Sequence, residues 1–355
     1  MRQSVQWNSL TGLAMAGMLA ACSGEPAAAP EAPANVPTAE GDSDVLPFAT
    51  VNGGAKLSLA PCSTAAHRQF DFWLGQWEIT EAGAPAGTNV VEPLLGGCAI
   101  RENYLDPDGG SVGTSLNSYD EATKQWRQTW VADYGTDYRL AGGLDASGTM
   151  VLTGERINAL NGRLLLDTWK WTPVDGNTMV QTGRITVPAT GRDEQFWNGE
   201  YHRVPAVNPP PMVASDLCVA SPYTDADFLA GSWDVQGPLG VSLGRSTITK
   251  TVSGCLVEEH FTGRLGYEAI AFTYRDPVTQ HWYRSAVDNL GGRIELAGDF
   301  TGASLVLTGT EQVAGAEVQY RLKLKAVGKR VEAKHEISRN GGGTWEKLPT
   351  LTYVK

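Results

Sequence analysis

The chain contains no apolar run of the roughly 20 residues that a membrane-spanning helix needs. It also has no excess of positive charge. Its 28 Lys and Arg face 39 Asp and Glu, a net charge of −11, which excludes the basic surface of a nucleic-acid binder. Histidine is scarce, with five residues in 355. None stands at metal-ligand spacing to another, and a zinc site needs three or four ligands. Gly-x-Ser-x-Gly, the Walker loop, His-Glu-x-x-His and the dinucleotide fingerprint are all absent. No catalytic or metal-binding residue is therefore assigned, and no cofactor is expected. Helical periodicity is nearly missing too, confined to short pieces near residues 65–74 and 224–229. Cysteine is sparse, and its number, five, is odd.

What is present begins with an address. One Arg and no acid precede an apolar stretch from Leu10 to Ala21, the length of a secretory h-region. It ends in Leu19-Ala20-Ala21-Cys22, which resembles the bacterial lipobox. Cys22 is then lipidated and becomes the mature N-terminus. Residues 1–21 read as a lipoprotein signal peptide. Residues 22–58, rich in Ala, Pro and acid, read as a stalk that cannot bury enough surface to fold. Ser at position 23 rather than Asp favours the outer membrane, facing the periplasm. The expected partners are that membrane, through the lipid, and a small hydrophobic ligand; no nucleic acid is expected, and protein partners are left open.

An internal repeat organises the rest. Asp71-Phe72-Trp73-Leu74-Gly75-Gln76-Trp77-Glu78-Ile79 recurs as Asp227-Phe228-Leu229-Ala230-Gly231-Ser232-Trp233-Asp234-Val235, at an offset of 156. Gly97-Cys98 recurs as Gly254-Cys255, and Asp120, Thr123 and Trp126 recur as Asp276, Thr279 and Trp282. Two copies of one domain are expected, at 59–205 and 216–355, joined by a Pro-rich linker at 206–215. Cys62 and Cys218 also match. With Cys22 taken by lipid, the repeat predicts one disulfide per copy, Cys62–Cys98 and Cys218–Cys255. Each should contribute roughly 3–4 kcal/mol by restricting the unfolded chain.

Within each copy, alternation dominates. Val318, Tyr320, Leu322, Leu324 and Ala326 interleave with polar residues, and Val331, Ala333, His335 and Ile337 do the same one segment later. This is the pattern of half-buried strands. The predicted fold is all-β: two tandem antiparallel barrels.

The Gly-x-Trp openings, Gly75/Trp77 and Gly231/Trp233, resemble those of lipocalins and the wider calycin barrels. The resemblance implies that Trp77 and Trp233 close one end of each barrel. The longer pattern, from Phe70 through Trp77, then Gly97-Cys98, then Tyr119-Asp120-x-x-Thr123-x-x-Trp126, is similar to an uncharacterised family of bacterial secreted domains.

Strand parity selects the candidate site. Cys98, Ile100, Glu102 and Tyr104 share a face, as do Cys255, Val257, Glu259 and Phe261. If these faces are interior, Glu102 and Glu259 are buried acids that need partners. Arg284 is placed to neutralise Glu259. The matching residue in the first copy is Gln128, which leaves Glu102 without a cation. Trp130 is matched by Ala286, so the copies should differ in cavity. His335 lies on an apolar strand face, and the calycin resemblance brings haem ligation as one option for it. The other histidines, His67, His202, His260 and His281, read as surface residues. The ligand-binding candidates are thus Glu102, Gln128, Glu259, Arg284 and His335. The expected function is binding or carriage of a small hydrophobic molecule. The alternatives are a hydrolase or isomerase using an interior carboxylate, and a non-catalytic scaffold.

Overall fold

The computed structural model describes residues 61–133, 137–158, 160–208, 215–313 and 316–355. The signal peptide, Cys22, the whole stalk and most of the linker lie outside them. In the first half, β1 (Gly75–Glu81), β2 (Ala84–Leu94), β3 (Ala99–Leu105), β4 (Val112–Asp120), β5 (Gln125–Ala132), β6 (Asp137–Leu144), β7 (Met150–Ile157), β8 (Leu164–Pro173), β9 (Thr178–Val187) and β10 (Arg192–Val204) form a closed antiparallel barrel. The second half contributes β11 (Gly231–Gln236), β12 (Ser242–Thr251), β13 (Leu256–Gly263), β14 (Glu268–Arg275), β15 (Trp282–Asp288), β16 (Arg293–Thr301), β17 (Ser304–Val313), β18 (Ala316–Val327), β19 (Arg330–Ser338), β20 (Glu346–Lys347) and β21 (Leu351–Val354). Pairing of β18 with β19, and of β21 with both β19 and β11, closes a second ten-stranded barrel, with β20 as a short side strand. The two tandem antiparallel barrels read from the sequence are the observed fold.

Alternation sets which side chains point inward. On β18, Val318, Tyr320, Leu322 and Leu324 are buried while Lys323 and Lys325 are exposed. Ala326, expected on the buried face, is exposed; it lies one residue beyond the end of the β17–β18 pairing, at Lys325 opposite Ser304.

Antiparallel order puts the starts of all odd strands of barrel one at the same end. A cap made of two 3-10 turns (Ala65–Arg68 and Asp71–Trp73) covers that end. Phe70 stacks on Trp73 at 4.7 Å and meets Trp126 and Trp171 edge-on at 5.5 and 5.3 Å. The Trp77 indole donates to the Trp73 carbonyl at 2.9 Å. Gly75 has φ of +136°, and a Cβ there would overlap the Arg203 guanidinium, which donates to the carbonyls of Leu74 and Phe72. That is a physical reason for Gly at the start of the Gly-x-Trp motif. Barrel two repeats the device: Trp233 donates to Leu229 at 2.8 Å, and Gly231 has φ of +145°. Trp77 and Trp233 thus both lie at capped ends. The cap corrects the reading of His67. It is buried, not a surface residue, because the turn before β1 folds it beneath Tyr119, whose ring it meets edge-on at 5.1 Å.

The outer faces of β3–β5 and β13–β15 pack together. Leu116, Val131, Ile270, Phe272 and Val287 form one buried cluster with both disulfides, Cys62–Cys98 and Cys218–Cys255. Arg101 holds Glu258 through two hydrogen bonds of 2.6 and 2.7 Å, and the Thr129 and Ser285 hydroxyls bond at 2.8 Å. The expectation that Cys98 and Cys255 share the interior face of the following strands is corrected. Both sit in a helical backbone conformation just before the strand begins, which breaks the alternation and turns them into the cluster between the barrels.

Candidate functional site

The interior of barrel one is not filled. Beyond the cap lies a cavity of about 330 Å³, within the range of small-molecule sites. Glu102, Gln128, Trp171, Gln181 and Tyr201 line its deeper part; Tyr104, Trp130, Tyr138, Trp169, Phe196 and Trp197 line the part nearer the uncapped end. Strand geometry explains the set. On β8, Leu165, Asp167, Trp169 and Trp171 alternate inward. On β10, a bulge shifts the register between Gln195 and Trp197, so two consecutive aromatics, Phe196 and Trp197, reach the same cavity.

Glu102 stands on β3 and is almost fully buried. Asn89 donates to its Oε1 at 2.7 Å and Ser115 to its Oε2 at 2.8 Å. A chain of amides continues from there: Gln128 donates to Asn117 Oδ1 at 2.8 Å, and Asn117 donates to Ser115 Oγ at 2.9 Å. Among the described residues, Glu102 has no cationic partner. Burial outweighs its two hydrogen bonds and pushes its carboxyl up to about 7. Gln181 accepts from the Tyr201 hydroxyl at 2.7 Å and the Trp197 indole at 2.8 Å. Among the described residues, the buried indole N–H groups of Trp130, Trp169 and Trp171 have no hydrogen-bond partner. Arg156 and Asp167, nearer the mouth, bond to each other at 2.6 Å.

Barrel two places the matching residues differently. Ser246 donates to Glu259 Oε1 at 2.6 Å, and Tyr353 to the same oxygen at 3.0 Å. Arg284 donates to Oε2 at 2.5 Å and to Thr273 Oγ1 at 2.7 Å. Thr273 occupies the position of Asn117, so the residues at 128 and 284 bond the same neighbour; only the longer arginine also reaches the acid. Where barrel one has Trp169 and Trp171, the strand register gives Leu322 and Leu324. His335, at the position of Gly183, is buried, and its ring is held down to about 4 by burial and by the Arg284 charge.

No family model matches the chain, and no curated protein matches it. Among solved structures, one of a protein of unknown function from the DUF3598 family of Nostoc punctiforme is similar at 11% identity, over 82% of this chain and 99% of that one. Its TM-score is 0.18, too low to carry an argument.

The five candidate residues therefore fall into two separate interiors. Glu102 and Gln128 border the cavity of barrel one. Glu259, Arg284 and His335 lie inside barrel two, where Leu322, Leu324, Ala333 and Tyr353 belong to one buried core. With Arg284 and Glu259 beside His335, that packed interior does not fit a haem. Sequence reading missed Tyr138, Trp169, Trp171, Gln181, Phe196, Trp197 and Tyr201 as cavity residues. The alternation of Leu165, Asp167, Trp169 and Trp171 was a usable signal for two of them. The bulge at Phe196 had none.

Proposed function

We propose that this chain is an envelope-anchored carrier whose first barrel takes up a small, largely apolar molecule. The observation that supports it is the aromatic-walled cavity with a buried carboxyl at its floor. Eight aromatic side chains offer a large contact area with little rotamer entropy to lose, and the unpaired indole N–H groups suit a ligand with a few polar atoms. The lipid on Cys22 and the stalk complete the reading: they hold the barrels at the outer membrane on the periplasmic side.

Native mass spectrometry of the full chain, extracted from its own envelope, tests the carrier reading. A bound small molecule that is lost on Trp169→Arg is expected; unliganded mass throughout overturns it. Cys22→Ser should move the chain from the membrane to the soluble fraction, and unchanged membrane retention would remove the anchor. A carboxyl poised near 7 also suits proton transfer. Conversion of the co-purified molecule by the wild type, abolished in Glu102→Gln, would favour an enzyme instead.

A further inference from the structure

The two barrels differ at one position in a way that defines the ligand. Glu102 and Glu259 are buried equivalents, each held by two neutral donors. Barrel two adds a third partner from its own chain, the Arg284 guanidinium. Barrel one has Gln128 there. Gln128 keeps the bond to the neighbouring strand but supplies no charge, and Glu102 lines open space.

A buried carboxylate without a counter-charge is costly. Each Glu102 oxygen accepts one hydrogen bond from the protein, which leaves lone pairs on both. Nearer the mouth, Asp167 already has a counter-charge, since its Oδ2 accepts from Arg156 at 2.6 Å. Apart from Gln181, the remaining wall is made of aromatic side chains, whose faces attract cations and organic groups alike. We propose that the barrel-one cavity selects a small organic cation, an ammonium or guanidinium on an apolar body, whose charge takes the place that Arg284 occupies in barrel two. This rests on the carrier reading and narrows it to a chemical class. As the cation enters, Glu102 releases its proton to solvent and the ion pair forms in the cavity. The raised carboxyl titration in the free protein agrees: burial raises it, and no counter-charge offsets the burial.

The test compares two probes of nearly equal shape, 2-phenylethylammonium and 2-phenylethanol. Both are titrated into the full chain at about pH 8, above the Glu102 titration near 7 and below that of an alkylammonium, roughly 10. Tryptophan fluorescence and calorimetry read the binding. The ammonium should bind about tenfold or more tighter than the alcohol. Glu102→Gln should erase that preference and leave alcohol binding in place, which also shows that the variant is folded. Gln128→Arg, which supplies barrel two's own counter-ion, should abolish ammonium binding. Equal affinity for the two probes, or an undiminished preference in Glu102→Gln, overturns the cation inference and leaves the carrier reading standing. Binding of neither probe overturns both.

Discussion

Barrel one and barrel two are built on the same ten-strand plan, each with a 3-10 turn leading into a Gly-x-Trp opening and each with a buried glutamate. They part at a few interior positions. Gln128, Trp130, Trp169 and Trp171 of barrel one are matched in barrel two by Arg284, Ala286, Leu322 and Leu324. In barrel one, large aromatics pack against one another along the wall, Trp169 meeting Phe196 at 5.2 Å and Tyr138 at 5.5 Å, and leave a cavity beside them. At the matching positions of barrel two stand leucines of one buried core and a long arginine. A closed barrel thus becomes a container or a solid core through a handful of inward residues, while its strands and cap hold constant.

The largest expected effect comes from making barrel two resemble barrel one. Arg284→Gln leaves Glu259 buried and without its ion-pair partner, and should cost about 3–5 kcal/mol of stability. Adding Glu259→Gln should recover a large part of that. Denaturant unfolding of the single and double variants measures both. A loss below about 1 kcal/mol would mean that water reaches Glu259 and that the two interiors are less different than described.

The next effect is a pH slope in barrel one. Folded Glu102 keeps its proton up to about 7, against an ordinary value of 4.5. Across that window the native state binds more protons than the unfolded chain, so stability falls as pH rises through it and levels off above. The contribution is up to about 3 kcal/mol. Glu311 and Asp137 are also raised, to about 8 and about 6, but they are common to wild type and Glu102→Gln. The difference between the two proteins, measured from pH 4 to pH 9, isolates Glu102; a flat difference would contradict the buried, unpaired acid. Near Glu102 the ionisable groups are Tyr104 and Tyr201, whose hydroxyl is itself pushed up by burial. Binding of an organic cation should therefore strengthen as pH rises through 7, following the loss of the Glu102 proton.

The smallest effect sharpens the contrast in wall residues. Trp130→Ala installs the residue of barrel two at the cavity mouth. A core tryptophan costs about 3–5 kcal/mol on truncation. Trp130 already borders open space, so its loss should stay below about 2 kcal/mol while ligand affinity falls. Thermal unfolding alongside the probe titration reads both quantities.

Much of this contrast was legible beforehand. The repeat offsets of 157 and 156 pair Glu102 with Glu259 and Gln128 with Arg284 without any strand being placed, because side-chain parity is a local property of a chain. The same parity misplaced Cys98 and Cys255, since alternation starts only where the backbone becomes extended, one residue later. The aromatic wall was harder. Trp169 and Trp197 lie 28 positions apart in sequence, and their meeting depends on barrel closure and on the bulge at Phe196, both non-local. His67 was misread for a related reason: a histidine in a turn looks exposed until the cap is known to lie over Tyr119.

Thr129 meets Ser285, and Arg101 meets Glu258, and each pair joins the same position of the two copies, 156 or 157 residues apart. Such pairs lie near a pseudo-two-fold axis. In a dimer of identical chains, a residue on that axis meets itself. Thr against Thr is tolerable, but Arg against Arg or Glu against Glu repels. Joining both copies in one polypeptide lifts that restriction, so that the axis can carry a bidentate ion pair. The same lifting lets one interior stay open while the other is packed, which a symmetric dimer could not encode.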